Sequence, residues 1–190
     1  MNKLICITGL TGSGKSVASD FFAENGYQFI RFGQAVLDEV MRRKLTINES
    51  NERKVREDLR KKYGMAAMAK LNLPNFKRLL KKGNVIGDGL YSFEEYKLLR
   101  KEFKKRFVTI AIYAPPNVRY ERLTKRKLSA SDKAARHRPS TPEESESRDY
   151  EELENLNKGG TIALADYTIL NTKDLKYFKK QLKEVLLKIS

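Results

Sequence analysis

The stretch Leu4-Ile5-Cys6-Ile7-Thr8-Gly9-Leu10-Thr11-Gly12-Ser13-Gly14-Lys15-Ser16 decides how the chain is read. From Gly9 it fits the pattern G-x-x-x-x-G-K-[ST] at every fixed position. Average residue usage would produce such a match in a chain of 190 residues about once in a hundred tries. The residues before it are a short apolar run of the buried-strand type, and after it Val17, Ala18, Phe21 and Phe22 recur on one helical face. A glycine-rich loop between strand and helix aims successive backbone N–H groups at phosphate oxygens, at the positive end of a helix dipole. Lys15 adds a point charge for the terminal phosphates, and the Ser16 hydroxyl is placed to hold Mg²⁺. Gly9, Leu10, Thr11, Gly12, Ser13, Gly14, Lys15, Ser16 and Val17 are therefore the candidate nucleotide contacts. The plainer alternative, a glycine-rich turn without a ligand, does not account for the lysine and serine that follow.

The rest of the composition bounds what surrounds this loop. A length of 190 residues fits one α/β domain with small inserted lobes. With 40% hydrophobic and 33% charged residues the chain is globular rather than disordered. A net charge of +15, from 39 basic and 24 acidic residues, restricts partners more than fold. It suits nucleic acid, a cleft that gathers phosphorylated small molecules, or lysines that solvate the outside. No apolar run approaches a membrane span and the apolar start is too short for a secretory signal, so a cytoplasmic protein with no membrane partner is expected. Cys6 is the only cysteine and His137 the only histidine, which excludes an internal disulfide and argues against a zinc site or a serine triad.

Beyond the first helix, residues 27–31 read as a second strand, followed by a helix with Val36, Leu37 and Val40. Residues 52–82 are helical and dense in charge, with Arg56 and Arg60 one turn apart on one face. Residues 84–88 form a third strand, and Ser92 with Glu95 supplies a capping box for the next helix. The longest β-branched run, residues 107–113, ends at Pro115-Pro116, and the helix after it presents Arg119, Arg122 and Arg126 along one side. Residues 127–140 lack a periodic apolar face and read as a mobile loop. Thr141-Pro142-Glu143-Glu144 restarts helix, Gly159-Gly160 is expected to break it, residues 167–170 form a fifth strand, and Leu175, Phe178, Leu182, Val185, Leu186 and Ile189 stripe a closing helix. Strands alternating with helices predict a parallel sheet covered on both faces. Ligands of such sheets bind beyond the strand carboxyl ends, where the loop, Arg31, Asp88, Pro115 and Asn171 all fall.

These residues resemble the small-molecule P-loop kinases of the nucleoside monophosphate kinase superfamily, closest to dephospho-CoA kinase and its uncharacterised relatives. The likeness is specific in the loop from Gly9 to Ser16, in Asp88-Gly89-Leu90-Tyr91-Ser92, in Arg119-Tyr120-Glu121-Arg122-Leu123 leading to Arg126, and in Ala165-Asp166-Tyr167-Thr168-Ile169-Leu170-Asn171. It implies a P-loop NTPase three-layer α/β sandwich with a five-stranded parallel sheet, a helical acceptor-binding insertion at 31–82 and a lid at 127–147, within a single domain 1–190. It further implies transfer of the γ-phosphoryl group of ATP, with Mg²⁺, to a small phosphorylated or nucleotide-like acceptor such as dephospho-CoA or a nucleoside monophosphate. Lys15, Asp88, Arg122, Arg126 and Arg148 become catalytic candidates, and Ser16 and Asp88 metal ligands. Arg31, Arg56, Arg60 and Arg119 become acceptor contacts, and Asn171 and Thr172 contacts to the nucleotide base.

One departure matters. Where the family commonly has a carboxylate soon after the second strand, this chain has Arg31-Phe32-Gly33-Gln34-Ala35, and glutamine cannot take a proton. Either Asp88 acts as base, or the acceptor is already an anion and needs none. The competing readings are a nucleotide-dependent switch or GTPase and a nucleic-acid-associated ATPase. Asn171-Thr172-Lys173-Asp174 is superficially a guanine-specificity motif, but threonine stands where lysine is required and no D-x-x-G occurs. The net charge alone motivates a nucleic-acid partner, and no nucleic-acid-binding motif accompanies it.

Overall fold

Side chains of the first strand, β1 (Leu4–Thr8), alternate between two hydrophobic cores: Leu4 and Cys6 enter one, Ile5 and Ile7 the other. A strand buried on both faces belongs at the centre of a covered parallel sheet, and that is its position in the computed structural model, which describes residues 1–127 and 139–189. The remaining strands are β2 (Gln28–Arg31), β3 (Val85–Asp88), β4 (Phe107–Tyr113) and β5 (Tyr167–Leu170). They pair in the order β2-β3-β1-β4-β5, every pair parallel, with Leu4 beside Val85 on one side and Phe107 on the other.

Helices α1 (Lys15–Glu24) and α9 (Leu175–Ile189) cover one face, burying Ala18, Phe22, Phe178, Leu182 and Val185 against Ile5, Ile7, Ile86 and Ile110. The other face carries α2 (Gln34–Arg42), α3 (Glu49–Tyr63), α4 (Ala67–Leu80) and α5 (Phe93–Phe103), whose Val36, Val55, Phe76 and Leu99 pack over Leu4, Cys6, Val85 and Phe107. Between β4 and β5 lie α6 (Pro116–Thr124), α7 (Pro142–Glu154) and α8 (Lys158–Ala163). The result is the expected three-layer α/β sandwich. Both expected capping boxes form, Ser92 with Glu95 and Thr141 with Glu144, so α5 and α7 begin where local hydrogen bonding sets them.

One expectation is refined and one changes. The charged stretch 52–82, read as helical, is divided between two helices, Gly64 capping the first and Ala67 opening the second. Gly159-Gly160 does not break the chain but lies inside α8. There the missing side chain lets α8 approach α5, since a Cβ on Gly160 would stand 3.0 Å from the Phe93 ring. The loop expected at 127–140, with His137, falls almost wholly outside the described residues. Among the described residues no helix is long and apolar enough to cross a membrane.

Candidate active site

The loop between β1 and α1 has a left-handed Gly14, φ 107°, as the helix N-cap. A Cβ there would lie 2.4 Å from Asn171 Nδ2, so close approach as well as backbone conformation requires glycine. Gly14 brings no side chain to satisfy the first amides of α1, which leaves them for an anion. The loop is braced from behind: Asn171 Nδ2 donates to the Ser13 carbonyl at 2.8 Å, and the Asn171 amide donates to the Tyr113 carbonyl at 2.8 Å. Lys15 Nζ donates to the Leu10 carbonyl at 3.0 Å, folded over its own loop.

A cavity of about 500 Å³ opens in front of this loop. Thr11, Gly12, Gly14, Lys15, Ser16 and Val17 form one wall, and Arg31 and Asp88, from the ends of β2 and β3, another. Arg122, Arg126 and Arg148 line it from α6 and α7 and the segment after α6. With Arg56 and Lys173 also present, cations outnumber the carboxylates Glu52, Asp88 and Glu152. The Nη1 of Arg122 is buried with no hydrogen-bond partner among the described residues, while its Nη2 stands 3.5 Å from Asn171 Oδ1. A buried, unsatisfied guanidinium donor on a cationic cavity is suited to an anionic ligand. Lys15 keeps part of its surface on the cavity wall. Its ammonium is nevertheless packed closely enough that burial first, and Lys158 second, draw its pKa to about 7 against the pull of Glu152. Asp88 is 7% exposed and accepts Ser19 Oγ at 3.0 Å, so α1 fixes its orientation.

A second cavity of about 470 Å³ adjoins the first, and Arg31, Glu52, Arg56, Tyr91, Arg148 and Glu152 line both. Its own walls are Arg53 and Arg60 from α3, Glu143, Glu144 and Glu151 from α7, and Val36, Leu37, Met68 and Leu156, so that with Glu52 and Glu152 its carboxylates match its guanidinium groups in number. Burial draws the Arg60 guanidinium down from its ordinary value, opposed by Glu95, and its Nε is buried without a hydrogen-bond partner among the described residues.

The structure thus brings Lys15, Ser16, Asp88, Arg31, Arg56, Arg122, Arg126, Arg148 and Asn171 to one cavity, and Arg60 to its neighbour. Arg119 belongs to neither. It is 2% exposed, donates to Asp149 at 3.0 and 2.6 Å, and reaches the carbonyls of Ala114 and Thr11, each at 2.9 Å. It is a clamp between loop, α6 and α7, not an acceptor contact. Thr172 is exposed and lines neither cavity, and the loop residues Gly9, Leu10 and Ser13 also line neither. Asn171 spends its amide on the loop. Gln34 is exposed, donates to Asp38 at 2.8 Å and faces neither cavity. Asp174 accepts the Tyr177 amide at 2.8 Å as a helix cap, which removes it from a guanine-reading role.

Sequence reasoning missed Glu52, Tyr91, Glu152 and Lys158. Glu152 left a trace: Ser145, Asp149 and Glu152 are the buried residues of α7 and fall on one helical face, a polar stripe where an apolar one is usual. Lys158, fully buried, left none.

A family model described as an AAA domain matches residues 5–152. A UPF0200 protein of Thermococcus gammatolerans is 33% identical over 189 residues, covering 98% of this chain and 95% of its own. Among solved structures, shikimate kinase from Bacteroides thetaiotaomicron superposes with a TM-score of 0.58 at 18% identity, covering 98% of each chain. A gluconokinase from Sinorhizobium meliloti gives 0.57 at 16% identity, over 98% of this chain and 93% of its own. At such identities the two kinases establish the fold, which is that of P-loop kinases. The strand-to-helix phosphate loop, the covered parallel sheet and these matches agree, and the chain belongs to the AAA domain family and to the UPF0200 proteins.

Proposed function

We propose that this protein transfers the γ-phosphoryl group of ATP to a small anionic acceptor, of the dephospho-CoA or nucleoside monophosphate kind. The observation that carries the reading is the pair of adjoining cavities with Arg31, Arg56 and Arg148 on their shared wall. One cavity has the phosphate loop, and the other sets arginines and glutamates in equal number around Val36, Leu37, Met68 and Leu156. A group leaving the first for the second would pass those arginines. The kinase names of the two structural neighbours add support for phosphoryl transfer.

In this reading the amides at the start of α1 and Lys15 hold the donor phosphates. Arg122, Arg126 and Arg148 stabilise charge spread over the transferring phosphoryl oxygens. Residues 31–82 form the acceptor region through Arg31, Arg56 and Arg60, and residues 127–147 the lid, of which 128–138 lie outside the described residues. Oxygen donors at Ser16 and Asp88 fit a hard divalent cation, and Mg²⁺ held there would neutralise phosphate charge. Leu175 and Phe178 offer the nucleotide base an apolar edge beside Asn171. With Gln34 turned away, proton removal falls to Asp88, or the acceptor oxygen is already ionised.

The test is ADP release measured with dephospho-CoA, nucleoside monophosphates and nucleosides in parallel. One acceptor class is expected to stimulate release well above the rate with ATP alone. Equal rates with every acceptor and with none would refute transfer, and a clear preference for GTP would favour a switch.

A further inference from the structure

Among the arginines of the wall between the two cavities stand two carboxylates, Glu52 and Glu152, each of which opposes an anionic ligand on either side. Glu152 is 4% exposed and sits among groups that themselves suit an anion. Its Oε2 accepts Lys158 Nζ at 2.7 Å, and its Oε1 accepts Thr11 Oγ1 at 3.3 Å and faces Arg148 Nε at 3.5 Å. Lys158 is 0% exposed, lines neither cavity, and lies 4.9 Å from the centroid of the Tyr91 ring. The left-handed backbone of Asn157, φ 49°, sits at the start of α8, after α7, and sets Lys158 back against Glu152.

We propose that Glu152 is a resident anion of the phosphate cavity: tethered by Lys158, it engages Thr11 and Arg148 until a nucleotide phosphate takes them over. The inference rests on the first cavity being a nucleotide site. A loop hydroxyl and a lid-side arginine are partners that a phosphate oxygen needs, and here a carboxylate already holds them. Like charge makes that carboxylate and an incoming phosphate exclusive neighbours unless one withdraws. Lys158 makes withdrawal workable, because its bond is to the other oxygen and survives when Thr11 and Arg148 are released. Burial pushes the Glu152 carboxyl up, but Lys158, Lys15 and Arg148 outweigh it and hold it at about 2, so the resident group is an anion at neutral pH. The contact is a built-in brake on donor binding.

A purely supporting role for Glu152 predicts the opposite sign, because losing a support weakens the loop and its ligand. Calorimetric titration with ADP separates the two. E152Q is expected to bind ADP about three- to tenfold more tightly than wild type, the scale of removing one like charge from a charged interface. K158M, which frees the carboxylate to stay with Arg148, is expected to bind more weakly. E152Q leaves Lys158 buried and unpaired, so E152Q/K158M, which removes both charges, decides the matter should the single variant not fold. The double variant is expected to bind at least as tightly as wild type. Unchanged or weaker binding by E152Q, or a double variant weaker than wild type, overturns the proposal while leaving the nucleotide site intact. Failure of wild type and variants alike to take up ADP overturns the site reading and the brake with it.

Discussion

Glu95 caps α5 and is fully buried, accepting the amides of Tyr91 and Ser92 at 3.0 and 3.2 Å with one oxygen while the other has no hydrogen-bond partner among the described residues. Burial pushes its pKa from 4.5 to about 7, although both amides, Arg60 and Lys158 pull the other way. The folded state therefore holds a proton between about pH 4.5 and about pH 7 that the unfolded chain has released. Stability from this group falls as pH rises through that window, by up to about 3 kcal/mol, and is level above it. E95Q keeps an acceptor for the amides and removes the titration, so its denaturant midpoint should change less across the window than that of wild type; parallel curves would contradict this. Residues like Glu95, Glu152 and Lys158 were not legible as buried, because a charged side chain is read as solvated until the partners that justify its burial are known. Lys15 and Ser16 were legible because their positions follow from a local pattern. The Glu95 capping box was legible too, but not its burial.

At the scale of elements, α7 is the piece whose placement matters most and whose role was least evident. Its start was readable from Thr141 to Glu144, since a cap is a local device. Its docking was not, because that depends on Asp149 meeting Arg119 and Tyr120 across to α6, the latter at 2.9 Å. That junction also grips the Thr11 carbonyl, so one guanidinium sets the positions of the loop and of Arg148 and Glu152 together. Arg119→Ala leaves Asp149 buried without its charge partner and should cost about 3 to 5 kcal/mol in equilibrium unfolding. A loss below about 1 kcal/mol would show the clamp to be dispensable. Charge neutralisation of both partners in R119M/D149N should recover part of that loss, because it leaves no lone buried charge. The division of residues 52–82 at Gly64 escaped notice for a different reason: charge density continues across the break and hides it.

At the scale of the molecule, the sheet and its covering layers were legible because five apolar strands alternate with helices and connections of this kind admit few arrangements. The existence of two cavities was not, since α2, α3 and α7 build the second one from residues distant in the chain. The net charge of +15 now has a partial account in the cationic walls of the first cavity, whereas the second balances its arginines with glutamates. A charge gathered for small anions predicts no complex with duplex or single-stranded nucleic acid in a gel-shift titration at physiological salt. A complex that weakens steeply as salt is raised would reveal phosphate neutralisation along a polymer instead. In the proposed reaction the loop from Gly9 to Ser16 holds the donor of a phosphoryl transfer. This role is tested most directly by following γ-labelled ATP with the stimulating acceptor, in wild type and in Lys15→Ala. Label should move to the acceptor in wild type and at least about a hundredfold more slowly in the variant, the scale of a lost preorganised contact. Near-normal transfer by Lys15→Ala, or label appearing only as inorganic phosphate in wild type, would contradict it.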